Sequence, residues 1–298
     1  MDDTAPAEEV VSFNCDDARL WGILSRPPNG TAASPIAVLV VVGGPQYRVG
    51  SHRQFVLLAR TLARRGFPTL RFDYRGMGDS EGEVADFEAA GPDLRVALDA
   101  LSAACPGSRI VVWGLCDAAA AALMFATSDP RVVGIVAANP WARSDASLAA
   151  ARVKHYYAAR LLQREFWLKL LRGGLDLRAS LSALLGNLKG ASTFYRKKPA
   201  PSQDERFQTR MARGLASFRG RLLLILSGND LTAREFVQYT DLAPEWRGLL
   251  TDAKVSRVEL ADADHTFSRR VWQDRAEQET CAWLSQLCET APAKTMNG

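Results

Sequence analysis

Seven consecutive apolar residues, Ile36-Ala37-Val38-Leu39-Val40-Val41-Val42, run directly into Gly43-Gly44-Pro45. A strand with one wet face alternates apolar and polar residues. An unbroken β-branched run belongs to a strand covered on both faces, as in the middle of a parallel sheet. Parallel neighbours must be joined by crossovers, usually helices, and the sequence supplies them. Residues 55–65 carry apolar groups at helical spacing and stop at Gly66; residues 68–74 read as a strand, 93–104 as a helix and 109–113 as a strand. A helix over 118–126 and a strand over 132–138 follow, and a short hairpin, 10–13 with 20–25, opens the chain. This alternation predicts an α/β fold with a mostly parallel, doubly wound central sheet flanked by helices.

The alternation breaks at Pro140-Trp141. Helical patterning then continues to about Arg219, and strands resume at 221–227 and 255–260, the latter followed by a last helix over 271–287. The expected organisation is an α/β core, 10–141 and 220–289, interrupted by a helical cap, 142–219, with flexible termini at 1–9 and 290–298. A chain of 298 residues accommodates both units. No apolar run approaches the roughly 18 residues of a membrane span. The acidic start, Met1-Asp2-Asp3, lacks the basic-then-apolar pattern of a signal peptide. Five cysteines without a CxxC pair argue against a disulfide framework or a zinc site and for a reducing cytoplasm. Three histidines leave little for a metal site, so neither metal nor cofactor is expected. The net charge of +4 is too mild to imply nucleic acid.

The segment Val112-Trp113-Gly114-Leu115-Cys116-Asp117-Ala118-Ala119 decides the functional reading. An apolar strand ends in G-x-C-x-A, and an Ala-rich helix starts at once. This is the strand–turn–helix setting of the G-x-S-x-G nucleophile elbow, with Cys116 for serine and Ala118 for the second glycine. A thiol at a helix N-terminus feels partial positive charge, which favours thiolate. The bland alternative is a small core cysteine. Two later segments bear on that choice. Residues 222–226 form an apolar run leading to Ser227-Gly228-Asn229-Asp230, and 258–260 lead to Ala261-Asp262-Ala263-Asp264-His265. The order nucleophile, acid, histidine characterises the α/β-hydrolase fold, with each residue just past a strand C-terminus. His265 is expected to take the thiol proton, and Asp230 to fix its tautomer. Asp262 and Asp264 are rivals for the orienting role, disfavoured because near-adjacent residues rarely face each other across a loop. An oxyanion hole needs two backbone N–H donors. Asp117 supplies one, directly after the nucleophile. Gly44 is expected to supply the other, since Pro45 has no N–H.

These segments carry a resemblance. The stretch Gly66-Phe67-Pro68-Thr69-Leu70-Arg71-Phe72-Asp73-Tyr74-Arg75-Gly76-Met77-Gly78-Asp79-Ser80 is similar to α/β-hydrolases. Val42-Gly43-Gly44-Pro45-Gln46 is similar to the H-G-G-P-G loop of serine aminopeptidase-like members, from which Val42 and Gln46 depart. Over nearly the whole chain, most specifically at 43–53, the sequence resembles exosortase A system-associated hydrolases of type 1. The resemblance implies a bacterial cytoplasmic enzyme encoded near exopolysaccharide and protein-sorting genes, without fixing a substrate. Dienelactone hydrolases are similar in using cysteine at this elbow.

A cysteine nucleophile passes through a thioester and suits activated acyl groups: thioesters, lactones or esters. The expected activity is hydrolysis of a small acyl thioester or ester. Transfer of the acyl group to a non-water acceptor is the alternative, and a non-catalytic binding protein a further one. Residues 142–201 hold twelve Lys/Arg against three acids, a net +9 that leaves the remainder at −5. Such a field favours an anionic partner, such as an acyl carrier protein or a coenzyme A thioester. The alternatives are a merely solvated charged face or, given Phe166 and Trp167 alongside, a membrane-surface helix. Gln46, His52 and Trp141 are expected to line the substrate mouth, and the oligomeric state has no sequence signature.

Overall fold

The computed structural model describes residues 5–44, 46–142 and 206–289. Eight strands form one sheet in the order β1-β2-β4-β3-β5-β6-β7-β8. They are β1 (Ala7–Cys15), β2 (Ala18–Arg26), β3 (Ile36–Val41), β4 (Thr69–Phe72), β5 (Arg109–Leu115), β6 (Val132–Ala138), β7 (Arg221–Ser227) and β8 (Val255–Leu260). β1 and β2 form an antiparallel hairpin, and β2 pairs antiparallel with β4. Every pairing from β4 through β3 to β8 is parallel. The chain moves outward from β3 to β4 on one side, then returns to place β5 on the other. In such open sheets the crevice at the C-terminal strand ends holds the site.

Helices cover both faces: α1 (Gln54–Arg64), α2 (Gly91–Ala104), α3 (Asp117–Phe125), α4 (Phe207–Ser217), α5 (Leu231–Leu242) and α6 (Arg270–Glu289). All six residues of β3 are buried, which is why the run has no polar member. Because strand side chains alternate, Ile36, Val38 and Val40 join Val111, Trp113 and Ile225 in one cluster. Phe55 and Leu62 of α1 and Trp283 and Leu284 of α6 complete it. The other face is covered by α3, whose six residues from Ala118 to Leu123 are all buried. Such small side chains let a helix pack closely on the sheet. Helix α1 ends because Gly66 adopts φ +90°, where a Cβ would lie 2.8 Å from the Ala32 carbonyl oxygen.

Contacts divide the chain into Met1–Trp141 with Arg206–Gly298, and Ala142–Glu205. The expected cap, 142–219, is therefore too long at its C-terminal end. Residues 207–217 form α4, which buries Met211, Ala212 and Leu215 and packs on α3. Gly214 sits so close that a Cβ would lie 2.0 Å from the Leu123 carbonyl oxygen. The helical character expected for 143–205, with its basic charge, lies outside the described residues, as do 1–4 and 290–298. The expected flexible N-terminus, 1–9, is also corrected: Ala7, Glu8 and Glu9 pair with Arg26, Ser25 and Leu24 in the hairpin. No helix among the described residues is long and apolar enough to cross a membrane.

Candidate active site

The turn between β5 and α3 explains its own sequence. Cys116 adopts φ +63°, ψ −124°, a conformation that costs a side-chain-bearing residue on the order of 1–3 kcal/mol. The surroundings hold it there. Its N–H donates to the Ala138 carbonyl at 3.0 Å, and its carbonyl accepts from Ala119 at 3.1 Å and Trp141 at 3.1 Å. Glycine is obligatory two residues before it, since a Cβ at Gly114 would lie 2.7 Å from the Ala118 carbonyl carbon and oxygen. Alanine is admitted two residues after it, where Ala118 is buried in the packing of α3.

Asp230 ends the loop after β7 and is the N-cap of α5. Its carboxylate accepts from Thr232 N–H at 3.0 Å and Ala233 N–H at 3.1 Å. The same buried carboxylate accepts from His265 Nδ1 at 2.8 Å. His265 lies in the loop after β8. Its pKa is raised to about 10, first by the hydrogen bond to Asp230 and next by one with Cys116, against the opposing effect of burial. The structure thus brings Cys116, His265 and Asp230 together in that order. Asp264 serves locally instead: it accepts from Ser268 N–H at 2.9 Å and from the Ser268 hydroxyl. Asp262 contributes its backbone carbonyl to Asn229 Nδ2 at 3.1 Å.

The loop after β3 meets the turn as expected, with one difference. Gly44 N–H points at the Asp117 carboxylate, 2.8 Å from one oxygen and 2.9 Å from the other. The start of α3, at Asp117 and Ala118, adjoins the same carboxylate. Burial pushes the Asp117 carboxyl above its ordinary pKa, while backbone hydrogen bonding, from Gly44 first, holds it down. Of the two N–H groups expected to form the oxyanion hole, that of Gly44 is directed at the side chain of Asp117, the residue that carries the other. The close approach belongs to Gly43: a Cβ there would stand 2.2 Å from Asp117 Oδ1 and 2.6 Å from the Leu115 carbonyl oxygen. Gly44 instead has φ +57° and open space at its Cβ. Nearby, the Tyr74 hydroxyl is buried without a hydrogen-bond partner. Its pKa is pushed well above the tyrosine range, mainly by burial and then by the Asp117 and Asp93 carboxylates.

The residues expected at the mouth differ in what they do. Gln46 turns its Oε1 into its own loop, accepting from Ser51 N–H at 3.1 Å, which spends the side chain on loop structure. His52 is exposed at φ +52° and lies near Asp264, beside His265; the Asp264 carboxyl is held below its ordinary pKa, against burial, chiefly by hydrogen bonds from Ser268 and least by His52. Trp141 is tied to the nucleophile turn through its backbone.

Two positioning residues escaped the sequence reading. Asn139, fully buried at φ +43°, accepts from Ser227 N–H at 2.8 Å and donates to Ser227 Oγ at 2.9 Å and the His265 carbonyl at 3.0 Å. One amide therefore ties the acid strand to the histidine loop. Asp73, also fully buried, accepts from Arg48 N–H at 2.6 Å and from the Arg48 guanidinium, anchoring the loop that follows β3. Their signal was a polar residue just past an apolar strand, which many loop residues share. No group of three or more His, Cys, Asp or Glu is placed to hold a metal ion among the described residues.

A parallel sheet with a strained turn after β5, an acid after β7 and a histidine after β8 defines the α/β hydrolases. Residues 38–283 match the model of the alpha/beta hydrolase family, and the chain belongs to that family. Among curated proteins it is similar to the quorum-quenching protein AidA of Acinetobacter baumannii, 26% identical over 137 residues. That match covers 44% of this chain and 43% of the relative. Among solved structures it is similar to an esterase of Pyrococcus furiosus, with TM-score 0.61, 20% identity, and coverage of 95% of this chain and 92% of that one. It is also similar to the dienelactone hydrolase of Anabaena variabilis, with TM-score 0.57, 16% identity, and coverage of 94% and 98% respectively. At these identities the likeness is one of fold.

Proposed function

We propose that this α/β hydrolase cleaves an activated acyl ester or thioester, with Cys116 as nucleophile, His265 as acid–base and Asp230 as orienting carboxylate. The observation that carries this reading is the His265 ring, hydrogen-bonded at Nδ1 to Asp230 and near enough to Cys116, on its strained elbow, for the thiol to help raise the imidazole pKa. The imidazole, oriented by Asp230, is the base that takes the thiol proton. The thiolate attacks the acyl carbonyl carbon, and the carbonyl electrons move to oxygen as a tetrahedral oxyanion forms. Collapse expels the alcohol or thiol, which takes its proton from His265, and leaves an S-acyl cysteine. Neutral His265 then removes a proton from water as the hydroxyl attacks the thioester. The carboxylic acid departs, and the sulfur leaves as thiolate facing imidazolium.

The name of one structural neighbour, dienelactone hydrolase, and of others, esterases, agrees with acyl-oxygen substrates. The net +9 of residues 142–201 favours an anionic leaving group, such as coenzyme A or an acyl carrier protein. The resemblance over 43–53 supports an exosortase-associated setting. The test is steady-state hydrolysis of p-nitrophenyl esters and acyl-coenzyme A by wild type, Cys116→Ala and His265→Ala. Turnover by wild type that both substitutions abolish is expected. Turnover retained in Cys116→Ala removes cysteine from the mechanism.

A further inference from the structure

An oxyanion hole works by presenting preorganised donors to a charge that appears only in the transition state. Here one such donor already faces a charge. Gly44 N–H is within 2.8 and 2.9 Å of the two Asp117 carboxylate oxygens, and Asp117 is itself the first residue of α3. The fit is close, because Gly43 must lack a side chain to admit it. The first N–H groups of any helix lack intrahelical partners, and an acid in the first turn satisfies them and complements the helix dipole. Stability therefore favours the carboxylate where it lies, whereas acyl chemistry needs the same donors for the substrate oxygen. Two anions cannot share them.

We propose that Asp117 is an internal competitor for the oxyanion cradle. Its carboxylate occupies the donors at rest, must swing aside for a substrate carbonyl to be polarised, and on returning displaces the carboxylate product. The cradle is thereby a carboxylate site whose resident ligand is part of the chain. This inference rests on the proposed acyl chemistry at Cys116 and assigns Asp117 a role that restrains acylation and limits product inhibition. A residue that only braced the loop would have the opposite effect on rate.

The experiment compares wild type, Asp117→Asn and Asp117→Ala in three readouts. The first is acylation of Cys116 by p-nitrophenyl acetate, divided by its alkylation by iodoacetamide. Alkylation forms no oxyanion, so the ratio cancels any change in thiolate content. The second is inhibition of ester turnover by sodium acetate, and the third is thermal stability. A single oxyanion donor contributes roughly 10²–10³-fold in rate, so emptying the cradle is expected to raise the ratio by about 10-fold or more in Asp117→Ala, and replacing the anion by a neutral acceptor to raise it by less in Asp117→Asn. Acetate is expected to inhibit them at lower concentration than wild type, and Asp117→Ala to melt lower despite acylating faster. Asp117→Asn keeps an acceptor for Gly44 and serves if the alanine variant does not fold. A ratio that falls or stays level, or unchanged acetate inhibition, overturns the inference while leaving the acyl chemistry standing. Absence of ester acylation in wild type and both variants overturns the proposed function and this inference together.

Discussion

Asp230 serves two elements at once, and two substitutions separate the roles. Its carboxylate caps α5 through the N–H groups of Thr232 and Ala233 and accepts the His265 Nδ1 hydrogen bond. Asp230→Ala removes both functions. Loss of an N-cap costs about 1 kcal/mol, and loss of a charge-assisted hydrogen bond about 1.5–3 kcal/mol, so the alanine variant should lose about 2.5–4 kcal/mol. Asparagine caps helices about as well as aspartate. Here, however, either orientation of its amide sets the NH2 against a donor, at Thr232 or at the Ala233–His265 pair. With its carbonyl kept for Thr232, the NH2 faces His265 and selects the tautomer that cannot accept a proton from Cys116. Asp230→Asn should therefore lose about 2 kcal/mol of stability yet roughly 10³–10⁴-fold in kcat. Urea denaturation at pH 7 and p-nitrophenyl ester hydrolysis read the two quantities. An asparagine variant within about tenfold of wild-type kcat would refute the orienting role. Equal stability of the two variants would refute the capping role.

His265 gives a pH prediction of definite sign. Its folded pKa of about 10 lies above the unfolded value, so its contribution to stability is complete below about pH 6.5 and is lost as pH rises through 10. The stability difference between wild type and His265→Gln, from urea denaturation, should shrink over that window; a constant difference would contradict it. Asn139→Ala removes three hydrogen bonds at a buried site, and at about 1 kcal/mol each the cost should be about 3 kcal/mol. Ester kinetics of that variant should show kcat falling with little change in KM; unchanged kcat would reduce Asn139 to a structural role. Gly43→Ala meets the Leu115 carbonyl and the Asp117 carboxylate, whereas Gly44→Ala meets open space and carries only left-handed backbone strain, about 1–2 kcal/mol. Melting temperatures should therefore fall further for Gly43→Ala, and the reverse order would contradict the close packing at Gly43.

The sheet was legible because its signals are local. The run ending at Val42, the Gly114-to-Ala118 turn and the strand before Asp230 each declare themselves within about ten residues. The approach of Asp230 to His265 also followed, because both lie past the C-terminal ends of parallel strands. What escaped depends on contacts distant in sequence. The extent of the insertion could not be read because α4 continues the helical pattern. Only its packing of Met211 and Leu215 against α3, with Gly214 against Leu123, assigns it to the core. The backbone of Asp117 was foreseen beside Gly44, but not its side chain, whose place depends on Gly43, 74 residues earlier, lacking a Cβ. Asn139 looked like a strand end before Pro140, and only the structure shows its amide reaching Ser227 and His265.

The central claim is covalent catalysis at Cys116, and the most direct measurement is mass spectrometry of the protein quenched during brief exposure to acyl-coenzyme A and p-nitrophenyl esters, with peptide mapping of any adduct. The account predicts one acyl group on Cys116 of the wild type, lost with time as water resolves it, absent from Cys116→Ala and strongly slowed in His265→Ala. An adduct mapped to another residue, or turnover by wild type with no acyl adduct on Cys116 at any time while Cys116→Ala remains active, would contradict it.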